Sequence, residues 1–239
     1  MTDRSTIAFL CAHLSDERLF AAQCAALDAS HDCRVFVFRD HDTLAAMAES
    51  VLAAMPSRFT VVGLSLGGYV AFEIVRRALA RIERLALLDT TAVADTPARR
   101  AGRLADIATV EAGGIDALIP ELPGRWLLPA HRQRSDLRAL VASMARSVGA
   151  QGQRNQQHAM LGRPDSHADL AAVTVPTLVL CGAGDAVTPP ADHEAMAARV
   201  AGAHLVVVPD SGHLSTIEQP AAVTAALSTW LAEPSTRSP

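Results

Sequence analysis

The chain has 239 residues, of which 50% are hydrophobic and 19% are charged, and its formal net charge is −4. This length suits one large α/β domain, and the hydrophobic share excludes global disorder. All 21 basic residues are arginine, so there is no lysine for a Schiff base, a pyridoxal cofactor or a phosphate-binding loop.

The composition also limits the partners that we expect. Aromatic residues make up only 4% of the chain and no basic run is present, so we expect no nucleic-acid partner. No stretch approaches the roughly 18 apolar residues of a membrane span. Residues 1–5 do not lead into a long apolar region as the start of a signal peptide does, so we expect a cytoplasmic protein that binds a small molecule. The oligomeric state stays open.

Short apolar runs alternate with longer amphipathic segments along most of the chain. The predicted strands are residues 7–11, 34–38, 59–63, 84–88, 177–181 and 204–208. The predicted helices are residues 16–29, 42–55, 66–80, 191–200 and 217–232, with His41 and Asp42 as caps of the second. This alternation predicts a parallel sheet with helices on both faces.

Residues 95–169 break this alternation. They show helix-like apolar spacing, many arginines and no convincing strand, and they are too long for a loop without structure of its own. We interpret them as a helical lid inserted into a core formed by residues 1–94 and 170–239. Trp126 could form an apolar wall over an active site, although a position in the core of the lid is the favoured interpretation.

The strongest chemical signal is the sequence GLSLGG at residues 63–68, a G-x-S-x-G motif between a predicted strand and a predicted helix. This is the context of a nucleophile elbow, a strained turn that exposes the hydroxyl of Ser65. The turn also directs the amide of Leu66 towards a developing oxyanion. The alternative is that these glycines only form a flexible loop.

A serine hydroxyl is a poor nucleophile without a base that a carboxylate holds in one tautomer. Asp185 follows a predicted strand and two glycines, and His213 lies beside a glycine after the last predicted strand. Both positions fall at the carboxyl edge of a parallel sheet. The alternatives are that Asp185 only forms a turn or caps a helix, and that His213 is an ordinary loop residue.

With these motifs, the chain resembles an α/β-hydrolase-fold serine hydrolase of the small, esterase-like branch with a helical lid. The resemblance rests on residues 63–68, 178–185 and 212–220 and extends over nearly the whole chain. It implies Ser65 as the nucleophile, Asp185 as the orienting acid and His213 as the base. The family often opens with two further strands that this chain lacks, so the resemblance implies a mostly parallel sheet of about six strands flanked by helices.

The first loop departs from the family pattern. Relatives carry His-Gly or Pro-Gly after the first central strand, and the amide of the next residue completes the oxyanion hole. That pair is Cys11-Ala12 here, so the resemblance assigns the second oxyanion donor to the amide of His13, with the amide of Leu14 as a fallback. The His13 side chain either contacts the substrate or the base, or points to solvent while only its backbone matters. We favour the side-chain role slightly.

Asp89, at the end of the strand 84–88, is a second candidate for the acid, because some hydrolases of this fold use a carboxylate from that strand. The remaining histidines show no metal-ligand spacing, so we expect no metal and no cofactor.

The predicted function is hydrolysis of a carboxylic ester or thioester of a small to medium, apolar substrate through an acyl-enzyme. Two alternatives stay open. One is a non-hydrolytic or carbon–carbon-cleaving reaction at the same site, and the other is a non-catalytic, ligand-binding relative.

Overall fold

A computed structural model describes residues 4–234, so the first three and last five residues of the predicted core lie outside the described part. Its six strands, β1 to β6, are Ser5–Leu10, His31–Phe36, Phe59–Leu64, Ile82–Leu88, Thr177–Gly182 and His204–Val208. They form one sheet in the order β2-β1-β3-β4-β5-β6, and every pairing is parallel. The predicted six-stranded α/β fold is confirmed.

Ten α-helices accompany the sheet in residues 4–234. Helices α1 to α10 are Ala21–Leu27, Leu44–Ala54, Leu66–Ala78, Pro97–Gly113, Leu122–Trp126, Ser135–Leu161, His167–Leu170, Pro190–Ala197, Ser215–Glu218 and Pro220–Ala232. Short 3₁₀ turns occupy Glu17–Phe20, Leu79–Arg81, Ile115–Ala117, Ile119–Glu121 and Pro129–His131. None of these helices is both long and apolar enough to cross a membrane.

Alternating side chains of the central strands fill two apolar clusters, one on each face of the sheet. On β1, Ile7 and Phe9 join one cluster, whereas Ala8 and Leu10 join the other. Strand β3 is buried along its whole length. Such near-continuous apolar runs are expected where helices cover both faces of a parallel sheet.

Three local predictions were wrong. Strand β2 begins three residues before the predicted start, because the polar residues His31 and Asp32 pair with β1 at the sheet edge, where half-exposed side chains need not be apolar. The first predicted helix is a 3₁₀ turn followed by the shorter α1. Helix α2 is capped by Thr43, whose hydroxyl accepts a hydrogen bond from the Ala46 amide, and not by His41 or Asp42.

The segment between β4 and β5 contains α4 to α7 and no strand. The long helix α6 is interrupted at Gly149, whose φ of 74° and ψ of 178° are not helical. Helices α4 and α6 pack on each other, and buried apolar residues of both join the cluster that also contains Ile7 and Phe9, while Ala159 and Met160 near the end of α6 join the other cluster. The segment is therefore continuous with the core at the sheet edge where β3, β5 and β6 end.

Candidate active site

Ser65 lies in the tight turn between β3 and α3. Its φ of 54° and ψ of −110° are in a region that non-glycine residues rarely adopt. The flanking glycines are required by space, because a Cβ on Gly63 would lie 2.4 Å from the Gly67 carbonyl oxygen. A Cβ on Gly67 would lie 2.0 Å from the Leu10 carbonyl oxygen. The strained turn, with its two obligatory glycines, has the geometry of the predicted elbow.

The loops after β5 and β6 bring Asp185 and His213 to this serine. The Nε2 atom of His213 lies 3.0 Å from the Ser65 Oγ, and its Nδ1 atom lies 2.8 Å from the Asp185 Oδ2. All three side chains are buried. When Nδ1–H donates to the carboxylate, Nε2 is left to accept the serine proton. The three residues that the sequence predicted are therefore in contact, in the order that proton transfer requires.

Asp185 is held by four hydrogen bonds. Its Oδ1 accepts from the amides of Val187 at 2.8 Å and Thr188 at 3.0 Å, and its Oδ2 accepts from the Thr188 hydroxyl at 2.7 Å and from His213. Burial alone would raise the pKa of Asp185, but the charge of His213 and these bonds lower it. Burial works against a charged imidazole, yet Asp185 raises the pKa of His213 above its ordinary value. The carboxylate thus stabilises the imidazolium that forms when His213 takes a proton.

Asp89, the second candidate for the acid, faces other partners. Its Oδ1 accepts from the Gly182 amide at 3.0 Å, and its Oδ2 accepts from the amide and hydroxyl of Ser215. In the described part of the chain it makes no hydrogen bond to His213. Burial and the nearby Asp185 carboxylate raise the pKa of Asp89 to about 8. Asp89 therefore ties together the loops that carry Asp185 and His213, and the geometry favours Asp185 as the acid.

The candidate oxyanion donors differ in whether their amides already make a hydrogen bond within the protein. Within residues 4–234, the amides of Leu66 and His13 make no hydrogen bond to another protein group. The Leu14 amide, by contrast, donates to the Gln156 Oε1 at 2.9 Å. The geometry disfavours the fallback role of Leu14, because Gln156 already occupies its amide, while Leu66 and His13 keep theirs available.

The His13 side chain is held by the segment between β4 and β5. Its Nδ1 lies 2.8 Å from the Gln156 Oε1, and its Nε2 lies 3.4 Å from the Gln157 Nε2. Because an amide oxygen can only accept, Nδ1 carries the proton. Burial and the charges of Arg103 and Arg125 lower the pKa of His13 to about 3. His13 is thus a neutral residue whose side chain is bound by Gln156.

Replacement of His13 by leucine is expected to lower kcat/KM for ester hydrolysis about tenfold. The imidazole ties the loop that carries the His13 amide to Gln156, and one lost polar contact of this kind corresponds to about one factor of ten. Since His13 has a pKa of about 3, the acid limb of the pH–rate profile should stay at the same pH. The measurement is kcat/KM from pH 5 to 9, with His158→Leu, an exposed histidine of α6, as the control. A displaced acid limb would contradict a neutral His13.

Two adjoining cavities open beside the nucleophile. The inner chamber, of about 70 Å³, is bordered by Ser65 and His213. The outer chamber, of about 230 Å³, is bordered mainly by α4 and α5. The two share a wall of five residues, which are His13, Tyr69, Arg103, Trp126 and Val187. Trp126 also packs against the apolar cluster that contains Ile7 and Phe9.

Glu218 is a further functional candidate. It lies in the motif of residues 212–220, but the sequence alone indicated no role for it. Its buried side chain accepts from the amides of Gly212 and Leu214 on the His213 loop. It also accepts from the Leu128 amide and lies 2.8 Å from the His131 Nδ1, both in the segment between β4 and β5. In addition, the Trp126 carbonyl accepts from the His213 amide at 2.8 Å. Glu218 thus joins the loop of the base to this helical segment.

Replacement of Glu218 by glutamine is expected to lower the thermal midpoint by several degrees and kcat about tenfold. A carboxylate accepts on both oxygens, whereas a glutamine amide accepts on one, so buried N–H groups lose their partners at about 1–3 kcal/mol each. Calorimetry and ester kinetics measure both effects. Glu83→Gln, which changes a half-exposed ion pair with Arg58, is the control. A midpoint and a kcat like those of the control would contradict the role of Glu218.

Other functional residues gave no signal in the sequence. Gln156, Gln157 and Tyr69 contact the site from α6 and α3, but a buried glutamine in a helix has no distinguishing spacing. Among residues 4–234, no group of three or more histidine, cysteine, aspartate or glutamate side chains could hold a metal ion.

Comparison with known proteins agrees with this architecture. A model of the alpha/beta hydrolase family matches residues 7–227. The chain is 28% identical over 220 residues to 3-oxoadipate enol-lactonase 1 of Acinetobacter baylyi. This match covers 86% of this chain and 80% of that enzyme. It is 28% identical over 204 residues to the pimeloyl-(acyl-carrier protein) methyl ester esterase of Nitrosomonas europaea, covering 80% of this chain and 76% of that enzyme.

A similar architecture is found among solved structures. A thermophilic esterase from Thermogutta terrifontis, solved with malate bound, superposes with a TM-score of 0.87 and 30% sequence identity. The match covers 95% of this chain and 89% of that esterase. The similarity therefore extends through the sheet and through the helical segment between β4 and β5.

Proposed function

The chain belongs to the alpha/beta hydrolase family, and from this premise we propose that it is a serine hydrolase that cleaves a carboxylic ester through an acyl-enzyme. The relatives are named as an enol-lactonase, a methyl ester esterase and an esterase, all of which hydrolyse ester bonds. The observation that carries the proposal is the chain of hydrogen bonds from Asp185 through His213 to Ser65, at 2.8 and 3.0 Å.

The proposed first half-reaction forms the acyl-enzyme. The Nε2 of His213 takes the proton of Ser65, and the Oγ attacks the ester carbonyl carbon. The negative charge that develops on the carbonyl oxygen is stabilised by the amides of Leu66 and His13. His213 then gives its proton to the departing alkoxide, so the alcohol leaves and the acyl group stays on Ser65. Asp185 lowers the free energy of the imidazolium during both transfers.

The proposed second half-reaction repeats these steps with water. His213 takes a proton from a water molecule, whose oxygen attacks the acyl carbon. The same amides stabilise the second oxyanion, and His213 returns the proton to the Ser65 Oγ. The products are the free acid and the regenerated serine. A thioester would react in the same way, with a thiol as the leaving group.

We further propose that residues 95–169 act as a lid over a core formed by residues 1–94 and 170–239. The support for this division is that α4 and α5 border the outer chamber and that Trp126 borders both chambers. Chambers of about 70 and 230 Å³ suit a small to medium substrate, and Leu118, Leu122 and Trp126 supply apolar walls for it.

Two assays together test the proposed function. A fluorophosphonate probe should label the parent protein and leave the Ser65→Ala variant unlabelled, because the probe reacts with an activated serine. The parent should also hydrolyse p-nitrophenyl esters, with the rate depending on acyl chain length. Labelling without ester turnover would favour another reaction of this fold, and absence of both would favour a ligand-binding relative. A cytoplasmic location stays a prediction of the sequence.

A further inference from the structure

The outer chamber has an excess of positive charge near the nucleophile. Three arginines, Arg99, Arg103 and Arg125, border it, whereas Asp106 is the one carboxylate among the described residues that do so. The chamber shares five wall residues with the inner chamber, so a molecule whose ester reaches Ser65 can extend into it. The arginines differ in how far their charges are already neutralised.

Two of these arginines are committed to carboxylates of the protein. Arg125 donates to both oxygens of Asp106 at 2.9 Å and also pairs with the exposed Glu121. Arg103 pairs with Asp95. Because these ion pairs are made within the protein, neither guanidinium is the first choice for an anionic ligand.

Asp95, however, is shared between two arginines. Its Oδ1 also accepts from the buried Arg163, whose guanidinium lies 4.1 Å from the centre of the Tyr69 ring. One carboxylate therefore faces two guanidinium groups, Arg103 and Arg163. Tyr69 borders both chambers, so the positive charge of Arg163, which lies against the Tyr69 ring, is directly behind the wall of the site.

Arg99 has no carboxylate partner within residues 4–234. Its Nη2 donates to the carbonyl of Val187 at 2.7 Å, and this bond fixes the guanidinium against the loop that carries Asp185. A guanidinium has five N–H donors, so the remaining ones are free to bind another group. Val187 borders the inner chamber as well, so Arg99 lies one residue away from the space beside Ser65.

The surrounding charges support a positive potential at this position. Among the charged groups that border the outer chamber or are linked to them by ion pairs, Arg99, Arg103, Arg125 and Arg163 outnumber the carboxylates of Asp95, Asp106 and Glu121. The neutral His13 agrees with this balance, since the charges of Arg103 and Arg125 add to the effect of burial in lowering its pKa to about 3. A chamber wall with a surplus guanidinium attracts an anion.

We propose that Arg99 binds a carboxylate at the far end of the substrate, so that the preferred substrates are esters or lactones with an apolar middle and an anionic end. This inference rests on the proposed function and assigns the outer chamber to the end of the substrate that does not react. A guanidinium binds a carboxylate through two parallel N–H···O bonds, which gives both affinity and orientation. The anionic group can belong to the acyl part or to the alcohol part of the ester.

Two pairs of esters distinguish an anionic group on the acyl part from one on the alcohol part. For the acyl part, the mono-p-nitrophenyl ester of adipic acid is compared with its methyl-capped counterpart, which has no charge. For the alcohol part, 4-acetoxybenzoate is compared with its methyl ester. Each kcat/KM is corrected for spontaneous hydrolysis. The parent should prefer the anionic member of at least one pair.

Replacement of Arg99 by glutamine should lower the anionic-to-neutral ratio of kcat/KM about tenfold in that pair, the effect of one charge-assisted contact. Glutamine can still donate to the Val187 carbonyl, so the loop of Asp185 keeps that bond. The matched control is Arg100→Gln, since Arg100 is exposed and donates to the Leu161 carbonyl away from both chambers. The ratio in the parent should also fall as salt is raised.

The outcomes separate this inference from the proposed function. Hydrolysis of the neutral esters without any anionic preference would overturn the role of Arg99 and leave the hydrolase standing. The same holds if the ratio falls equally in Arg100→Gln, or if it is unchanged in Arg99→Gln. A parent that hydrolyses none of the four esters would overturn the proposed function, and the inference with it.

Discussion

Replacement of Ser65 by alanine is expected to lower kcat for ester hydrolysis by about 10⁴-fold or more, with the fold intact. The Oγ is the atom proposed to form the covalent bond, and it lies 3.0 Å from the His213 Nε2. Alanine is no more strained than serine at a φ of 54°, and the backbone amide of Leu66 stays where it is. The residual rate would come from the oxyanion donors and from substrate binding alone.

The comparison with His213→Ala makes this test specific. If Ser65 and His213 act as one unit, the double variant should be no slower than either single variant, because each change already removes the whole proton-transfer step. Circular dichroism and the thermal midpoint would report whether each variant is folded. Near-normal turnover by a folded Ser65→Ala protein is incompatible with an acyl-enzyme on this serine.

The sequence predicted the parts of the site that local backbone chemistry determines. The G-x-S-x-G turn was recognisable because only glycine fits the space beside Gly67 and Leu10. The turn therefore requires glycines at a fixed spacing around the serine, and this spacing is visible in the sequence. Asp185 and His213 were recognisable because each follows a buried strand, and parallel strands end at one edge. The contact between them could then be inferred from topology without any distance.

Contacts made across the fold left no comparable pattern. Gln156 reaches the first loop from 143 residues away, and its side chain decides both the tautomer of His13 and the occupation of the Leu14 amide. Spacing along one helix does not reveal such a partner. The role of Glu218 was hidden for the same reason, since two of the four groups that it binds, the Leu128 amide and the His131 Nδ1, lie 90 and 87 residues away in the chain.

The arginines of the proposed lid are a further case in which the sequence alone could not identify a functional residue. In the sequence they formed one group, and nothing separated those on solvated faces from one that borders a cavity. The separation depends on which carboxylates fold against them, and Arg99 differs from its neighbour Arg100 only in what lies opposite. Net charge and spacing carry no information of this kind, whereas ion-pair partners and cavity walls do.

Replacement of Asp185 by asparagine is expected to lower kcat by about 10⁴-fold, far more than the same change at Asp89. An amide in place of the Asp185 carboxylate can turn its NH₂ towards the Nδ1 of His213, which favours the tautomer with the proton on Nε2. That proton blocks transfer from Ser65. The amide also lacks the charge that raises the pKa of His213, so the acid limb of the residual activity should move to lower pH.

Asp89→Asn should cost about tenfold or less. Burial and the Asp185 carboxylate raise the pKa of Asp89, whereas the pKa of Asp185 is lowered, so a neutral asparagine is the milder change at Asp89. The amide keeps one accepting oxygen, so the change removes the hydrogen bond from Gly182 or those from Ser215, and it leaves the tautomer of His213 untouched. Steady-state kinetics of the two variants at pH 7, with pH profiles for both, provide the comparison. A larger loss at Asp89 would move the acid to the end of β4 and would remove Asp185 from the proposed mechanism.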